Sequence, residues 1–401
     1  MKKNSIKIFC LILYSFLFTQ SALARPEYAA KNQMSCTSCH ASPWGGGPRN
    51  LYGKIYGARS LGAPITNSSD VYYADFRTLL FLPKKPVTSS NGLVIMEAAP
   101  SANVPIAENE DGSGMRVVAT YDFSPLGAGV REAYIHWKFG PDEDRLVSHL
   151  LVGRFNSPFG LLTDEHRTYA QALTNSTLNN YNAGIAISGE PVQTLHYDLA
   201  LVNNLSGNGS FNNQDFIWGN VFNLRWSPAF FPGFIGASQN FQHSINQAEP
   251  FAFSGYAALS MDRITHNVVK GSLMGEVVTS KNWIDPLNNP SLNSPAFFVP
   301  TVDSAYQTAT AASHSLAYYF QAKYDLNTRW SFFYKYDYLL FDQAFQGDGF
   351  ARHGLGFEVF INSNVIFNAR VEKAVVGRPE ISGTNTLAAE DDLIAMLRLW
   401  I

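Results

Sequence analysis

The sequence predicts an all-β protein, an outer-membrane-type antiparallel β-barrel of about 16 strands preceded by a short segment of different character. Three observations predict it. Only 15% of the residues are charged while 14% are aromatic, against about 25% charged in average soluble domains. From Asp70 onward the chain runs in short alternating segments separated by Gly, Asn, Pro and Asp clusters, the pattern of strands and turns. Beyond an apolar run at its N-terminus, no stretch approaches the ~20 apolar residues that a helical membrane span needs. The net charge of −3 comes without a basic block, so no nucleic-acid partner is expected. Three cysteines in 401 residues are too few for a disulfide scaffold.

The chain opens with Lys2 and Lys3, an apolar run from Ile6 to Phe18, and then Ala22-Leu23-Ala24. A charged start, a short apolar stretch and a small-residue cleavage site make residues 1–24 a secretory signal peptide. The run is too short to cross ~30 Å of hydrocarbon as a helix. Cys10 lies inside it without the small residues that a lipoprotein cleavage box places before its cysteine. The mature chain is expected to begin near Arg25.

Residues 25–65 carry the sharpest motif. The two remaining cysteines both fall in Cys36-Thr37-Ser38-Cys39-His40, the C-x-x-C-H pattern of c-type haem attachment. Two thiols at this spacing form thioethers with the haem vinyl groups, and the next residue brings an imidazole to the iron as proximal ligand. A zinc half-site would want further ligands near by, and no His or Met comes after the motif until Met96 and His136. A redox dithiol would want a βαβ context, which is missing. One covalent haem c on Cys36, Cys39 and His40 is the expectation. Some forty residues, including the stretch Trp44-Gly45-Gly46-Gly47-Pro48, cannot enclose a haem unaided, so the rest of the chain must supply the walls.

Residues 66–401 read as a porin-like transmembrane barrel. Trp330, Phe332, Tyr334, Tyr336 and Tyr338 alternate with Ser331, Phe333, Lys335 and Asp337. Leu316, Tyr318, Phe320, Ala322 and Tyr324 alternate with Ala317, Tyr319, Gln321 and Lys323. Arg131, Ala133, Ile135 and Trp137 alternate with Glu132, Tyr134, His136 and Lys138. Apolar outward and polar inward inverts a packed core and suits a lipid-facing barrel with a wet lumen. The alternation places strands over 70–82, 91–98, 113–122, 130–138, 147–155, 178–187, 193–203 and 218–227. The second half gives 232–241, 252–261, 266–279, 315–325, 328–340, 351–361, 365–375 and 390–401.

Connection lengths support these spans. Long connections at 156–177, 204–217, 280–314 and 376–389 all run from odd to even strands. Short ones at Asp262 to Thr265, Leu326-Asn327 and Asn362 to Asn364 run from even to odd. A barrel with periplasmic termini and long external loops has this asymmetry; a soluble β-sandwich or β-helix does not. The stretch 99–112 breaks the rule. Leu393, Ala395, Leu397, Leu399 and Ile401 end the chain as an apolar stripe resembling the terminal-strand signal of outer-membrane insertion, with Trp400 one place short of the usual terminal aromatic.

A signal peptide, one C-x-x-C-H close to the mature start and a barrel of this size together resemble the fused monohaem cytochrome–porin family. In residues the resemblance is close only around Arg25 to Gly62, where Tyr28-Ala29-Ala30-Lys31-Asn32-Gln33 precedes the haem-binding Cys36, Cys39 and His40. It implies an outer-membrane electron conduit in a Gram-negative bacterium, with the haem segment entering the lumen from the periplasmic side. It further implies oxidation of extracellular iron(II), an iron(II):cytochrome oxidoreductase activity, and transfer to a periplasmic carrier, a soluble cytochrome or copper protein. Two alternatives stay open: a substrate-translocating porin with a structural or sensory haem, and reductive electron export.

The sixth iron ligand has no candidate between Ala41 and Pro86. His136 or His196 shares parity with polar neighbours and is the candidate distal ligand; Met96, Met115 and a folded-back Met34 are others. Asp164, Glu165 and His166 sit together in the longest early connection. Carboxylates and imidazole suit iron(II), which makes that loop a candidate docking site.

Overall fold

The computed structural model describes residues 26–40, 42–45, 49–50, 52–53, 56, 71–83, 92–111, 113–124, 129–140, 145–163, 168–173, 181–203, 218–243, 249–281, 314–340, 349–362, 365–376 and 391–400. The signal-peptide expectation at residues 1–24 and the Asp164-Glu165-His166 site lie outside them. In chain order the first eight strands are β1 Tyr72–Pro83, β2 Gly92–Glu108, β3 Gly114–Asp122, β4 Gly129–Lys138, β5 Arg145–Asn156, β6 Tyr181–Val192, β7 Leu195–Asn203 and β8 Trp218–Trp226. The second eight are β9 Gly233–His243, β10 Phe251–Ser260, β11 Gly271–Lys281, β12 His314–Asp325, β13 Trp330–Leu340, β14 Gly349–Asn362, β15 Val365–Val376 and β16 Asp391–Trp400. Each pairs antiparallel with its sequence neighbours, and β1 closes on β16 with Asp75 opposite Trp400 and Pro83 opposite Asp392. Closure leaves no edge strand, the condition for backbone that meets lipid.

The inverted polarity holds around the wall. Outward side chains such as Leu93 (71% exposed), Leu355 (67%) and Val371 (55%) stand free, at positions where a soluble protein would bury them. Inward ones, among them Ser188, Asp198, Ser254, Ser315 and Asp337, are buried. Along β13, Trp330, Phe332 and Tyr334 are exposed while Ser331, Phe333, Lys335 and Asp337 are buried, as the alternation predicts. Aromatic pairs mark both rims: Trp226 with Phe230 and Trp330 with Phe357 near the short turns, Trp218 with His243 and Tyr318 with Tyr338 toward the long connections. Trp218 and Trp226 bracket β8, and that span at ~3.4 Å per residue and ~40° tilt gives an apolar band of about 21 Å.

Two boundaries and the facing of one side chain differ notably from the sequence reading. β2 runs on to Glu108, so the stretch 99–112 is mostly strand, and the β2–β3 connection is a short turn that obeys the alternation of loop lengths. Pro100 and Pro105 made this stretch look like loop; Pro100 pairs with Ala74, and Pro105 sits beside a register shift opposite Arg116, where a missing N–H is tolerated. β11 begins at Gly271, because Met261–Ile264 forms a helical turn in the connection before it. Arg131 does not face lipid: a bulge at the β3–β4 register shift between Thr120 and Tyr121 turns both Arg131 and Glu132 inward. There Arg131 donates to Glu97 and Asp122. Strict period-two reading assumes unbroken pairing, which a bulge breaks.

The N-terminal segment packs on inward-facing residues. Helix α1 (Pro26–Asn32) buries Glu27 and Ala30, and Ala30 clusters with Leu161, Phe234, Tyr256, Ala258 and Met274. Lys323 of β12 donates to Glu27 and to Glu358 of β14, each at 2.8 Å, and Lys31 bonds to Asp325. Gln33 donates to the Phe231 carbonyl at 2.8 Å, which places this segment at the short-turn rim. A second short helix, α2 (Tyr169–Leu173), lies against β12 and β13. Gln171 of α2 donates to the Leu161 carbonyl at 2.7 Å.

Candidate functional site

Cys36–Ser38 forms one 3-10 turn shortly after α1. The amides of Cys39 and His40 both donate to the Cys36 carbonyl, at 3.1 and 2.9 Å, so the two thiols and the imidazole are carried on one tight loop. The loop is tied down from the C-terminal side. Asn50 donates from its side chain to the carbonyls of Thr37 (2.9 Å) and Ser38 (3.1 Å), and its amide donates to the Cys39 carbonyl. His40 and Arg49 form an antiparallel bridge between them. At Gly53 a Cβ would stand 2.2 Å from the Cys39 carbonyl oxygen, so only glycine permits this approach. Gly45 has φ +88°, and its missing side chain leaves room against Cys36, whose Cβ and Sγ a Cβ would meet at 3.4 Å.

The barrel supplies the surroundings. Arg225, on the inward face of β8, donates from Nη1 to Cys36 Sγ at 3.2 Å and lies over the Phe234 ring. Trp44 packs on Phe155 of β5 with ring centroids 5.6 Å apart, joining a lumenal cluster with Leu151, Phe159 and Tyr169. Both thiols are free and half-buried, and His40 is buried. Burial pushes the Cys39 thiol up to about 11, helped by neighbouring Cys36 and opposed by Arg49. Burial pulls the Arg49 guanidinium down to about 10, with Tyr73 and Cys39 acting the other way.

These residues fit the covalent haem that the motif implies. Two thiols outside any disulfide share one turn with a buried imidazole. Glycine keeps the space against one thiol open, and apolar rings from the barrel wall stand alongside.

The candidate distal histidines are placed differently. His196 of β7 lies directly across from Arg225, which brings it into the neighbourhood of Cys36. Its ring is held between carboxylates, Nδ1 at 3.2 Å from Glu190 and Nε2 at 3.0 Å from Asp198, an arrangement that suits an imidazolium donating from both nitrogens. Asp198 in turn accepts from Ser188 (2.6 Å) and Asn223 (2.9 Å). His136 of β4 faces inward, with Nε2 at 2.8 Å from His149 Nδ1 on β5, four strands round the barrel from Arg225. Met34 receives the Tyr52 hydroxyl on its sulfur at 3.7 Å. Among the described residues no group of three His, Cys, Asp or Glu is arranged to hold a metal ion.

Sequence reasoning missed the partners of the motif. Arg225 could have been found from its inward parity in β8. Arg49 and Trp44 at the loop, and Lys323 at helix α1, carry no local signal, because folding alone sets their contacts.

No known protein family matches the chain, and no curated protein matches it. Solved structures do match in fold. A loop L8 deletion mutant of OmpT, an outer membrane protein of Vibrio cholerae, superposes with a TM-score of 0.55 at 8% identity over 82% of this chain and 98% of that one. OmpF of Salmonella typhi, solved with daunomycin, gives 0.54 at 12% identity over 82% and 96%. The outer membrane channel DcaP of Acinetobacter baumannii gives 0.53 at 10% over 82% and 96%. At such identities the likeness is one of fold: the wall of this protein is a closed 16-strand antiparallel barrel of the kind those outer-membrane proteins have.

Proposed function

We propose that this protein is a stoppered outer-membrane porin that passes electrons through a covalently bound haem c, oxidising extracellular iron(II) and delivering to a periplasmic carrier such as a soluble cytochrome or copper protein. The observation that carries the reading is the C-x-x-C-H loop lodged against the lumen wall, with Cys36 on Arg225 and Trp44 on Phe155. Cys36 and Cys39 would hold the porphyrin through thioethers and His40 would ligate the iron. Bound there, the haem supplies reversible one-electron chemistry.

The protein's own residues do the rest. Glu27, Lys31 and Gln33 fasten the segment to the wall. Phe155, Phe159 and Trp44 displace water from the loop's surroundings. Many inward polar groups are buried, whereas an open solute channel keeps its lining wet. Contacts at the rim of short turns support entry from the periplasmic side, since short turns are periplasmic in such barrels.

A second reading, a solute-translocating porin with a structural or sensory haem, is favoured by the likeness in fold to porins. Reductive electron export would use the same parts and differ in the reduction potential required. The test is a haem stain and visible spectrum of outer-membrane fractions, then iron(II) added outside sealed proteoliposomes. The conduit reading expects a haem band at the mass of the mature chain, reduction by external iron(II), and solute permeability near that of empty vesicles. A haem-bearing protein that swells liposomes in sugar and ignores external iron(II) is a porin. Absence of any haem band removes both haem readings.

A further inference from the structure

Arg49 is buried on the C-x-x-C-H loop, and its side chain is only partly used. Nη1 donates to the Gly53 carbonyl at 3.1 Å, while Nε and Nη2 have no hydrogen-bond partner. These two nitrogens form one edge of the guanidinium, the edge that takes a carboxylate through two parallel hydrogen bonds. Among the described residues no carboxylate pairs with it. A buried cation without its anion is destabilising, and a donor edge left empty adds to that. The Tyr73 hydroxyl, on the inward face of β1 and within electrostatic reach of Arg49, is also buried and lacks a hydrogen-bond partner. Two buried side chains, one from the loop and one from the wall, are thus each left without an acceptor.

We infer that the Nε–Nη2 edge of Arg49 is the seat of a haem propionate. The inference rests on the proposed haem attachment. A c-type haem tethered to Cys36 and Cys39 carries two propionates, and the loop that bonds it presents a carboxylate-shaped donor edge. No other described group on the loop offers a buried, unfilled pair of donors. Arg49 is thus a positioning residue: it fixes the tilt of the porphyrin and keeps one propionate ionised.

The test uses purified holoprotein, as wild type, Arg49→Gln and Arg49→Lys. Pyridine haemochrome first measures haem per chain; a wild type without haem overturns the underlying reading, and this inference with it. With haem attached, resonance Raman of the reduced protein reads the propionate bending mode. The Arg49→Gln variant is expected to shift that band to lower wavenumber, with a lower midpoint potential that varies with pH between 5 and 9 where the wild type is flat. Arg49→Lys keeps the charge and loses the paired geometry, so it shifts the band while preserving most of the potential. Full haem occupancy in Arg49→Gln with the wild-type band and pH profile overturns the assignment. Should Arg49→Gln fail to assemble, an unshifted band in Arg49→Lys overturns it instead.

Discussion

Replacing Glu27 by Gln should loosen the N-terminal segment without harming the barrel. Glu27 and its partner Lys323 are both almost wholly buried, and the ammonium divides its donors between Glu27 and Glu358. Lys323 and Glu358 belong to the wall, so their pair survives the change. The loss includes the charge-assisted hydrogen bond from Lys323, worth about 1.5–3 kcal/mol. At 1.4 kcal/mol per decade this raises the undocked fraction roughly 10- to 150-fold. Where undocking is fast compared with cleavage, proteolysis tracks that fraction. Protease added to the short-turn face of reconstituted protein should therefore clip Glu27→Gln one to two orders of magnitude faster, at an unchanged heat-modifiability midpoint. Lys31→Ala, whose partner Asp325 is partly solvated, should accelerate clipping several-fold at most, because exposed pairs are worth about 0–1 kcal/mol. Lys323→Met removes the ammonium shared by two buried carboxylates and should lower the midpoint as well, by an effect of about 3–5 kcal/mol. Wild-type clipping in both Glu27→Gln and the double variant with Lys31→Ala would refute the account of how the segment is held.

Other contacts carry their own expected outcomes. Cys36→Ala with Cys39→Ala should abolish the haem stain on gels while leaving a heat-modifiable barrel. Gly53→Ala should reduce haem yield sharply, since its Cβ meets the Cys39 carbonyl rather than a movable side chain; pyridine haemochrome per mole of protein measures this. Leu355→Arg, at an exposed position within β14, should cost about 2–4 kcal/mol of folding into bilayers, whereas in a soluble sheet it would be nearly neutral; urea titration in vesicles decides. Asp75→Ala leaves the buried guanidinium of Arg398, which it accepts from at 2.9 Å across the β1–β16 closure, without that carboxylate. The cost is about 3–5 kcal/mol, read as a lower midpoint in the same titration.

The wall was legible because lipid outside and polar groups inside impose a two-residue rhythm on every strand. Hence all sixteen strands appear in the number and order that the alternation gives, from Tyr72 to Trp400. Legibility failed where pairing is interrupted. Pro100 and Pro105 disguised the far half of β2, and the bulge at Arg131 reversed the side on which that arginine stands. The C-x-x-C-H pattern of Cys36, Cys39 and His40 stands out for a different reason: the proposed thioether attachment and axial ligation would demand fixed spacing along the chain, so such a signal is written locally.

Sequence by itself determined the outward apolar stripe, the strand count and the C-x-x-C-H spacing, since each depends on neighbours one to four residues apart. Tertiary structure alone decided what meets the motif. Arg225 reaches Cys36 across 189 positions and Lys323 reaches Glu27 across 296, and the Nε–Nη2 edge of Arg49 is left unfilled on the same loop. The physical reason is that a closed wall brings residues remote in sequence onto one enclosed surface, where burial makes every charge depend on its partner. No periodicity along the chain encodes such partnerships.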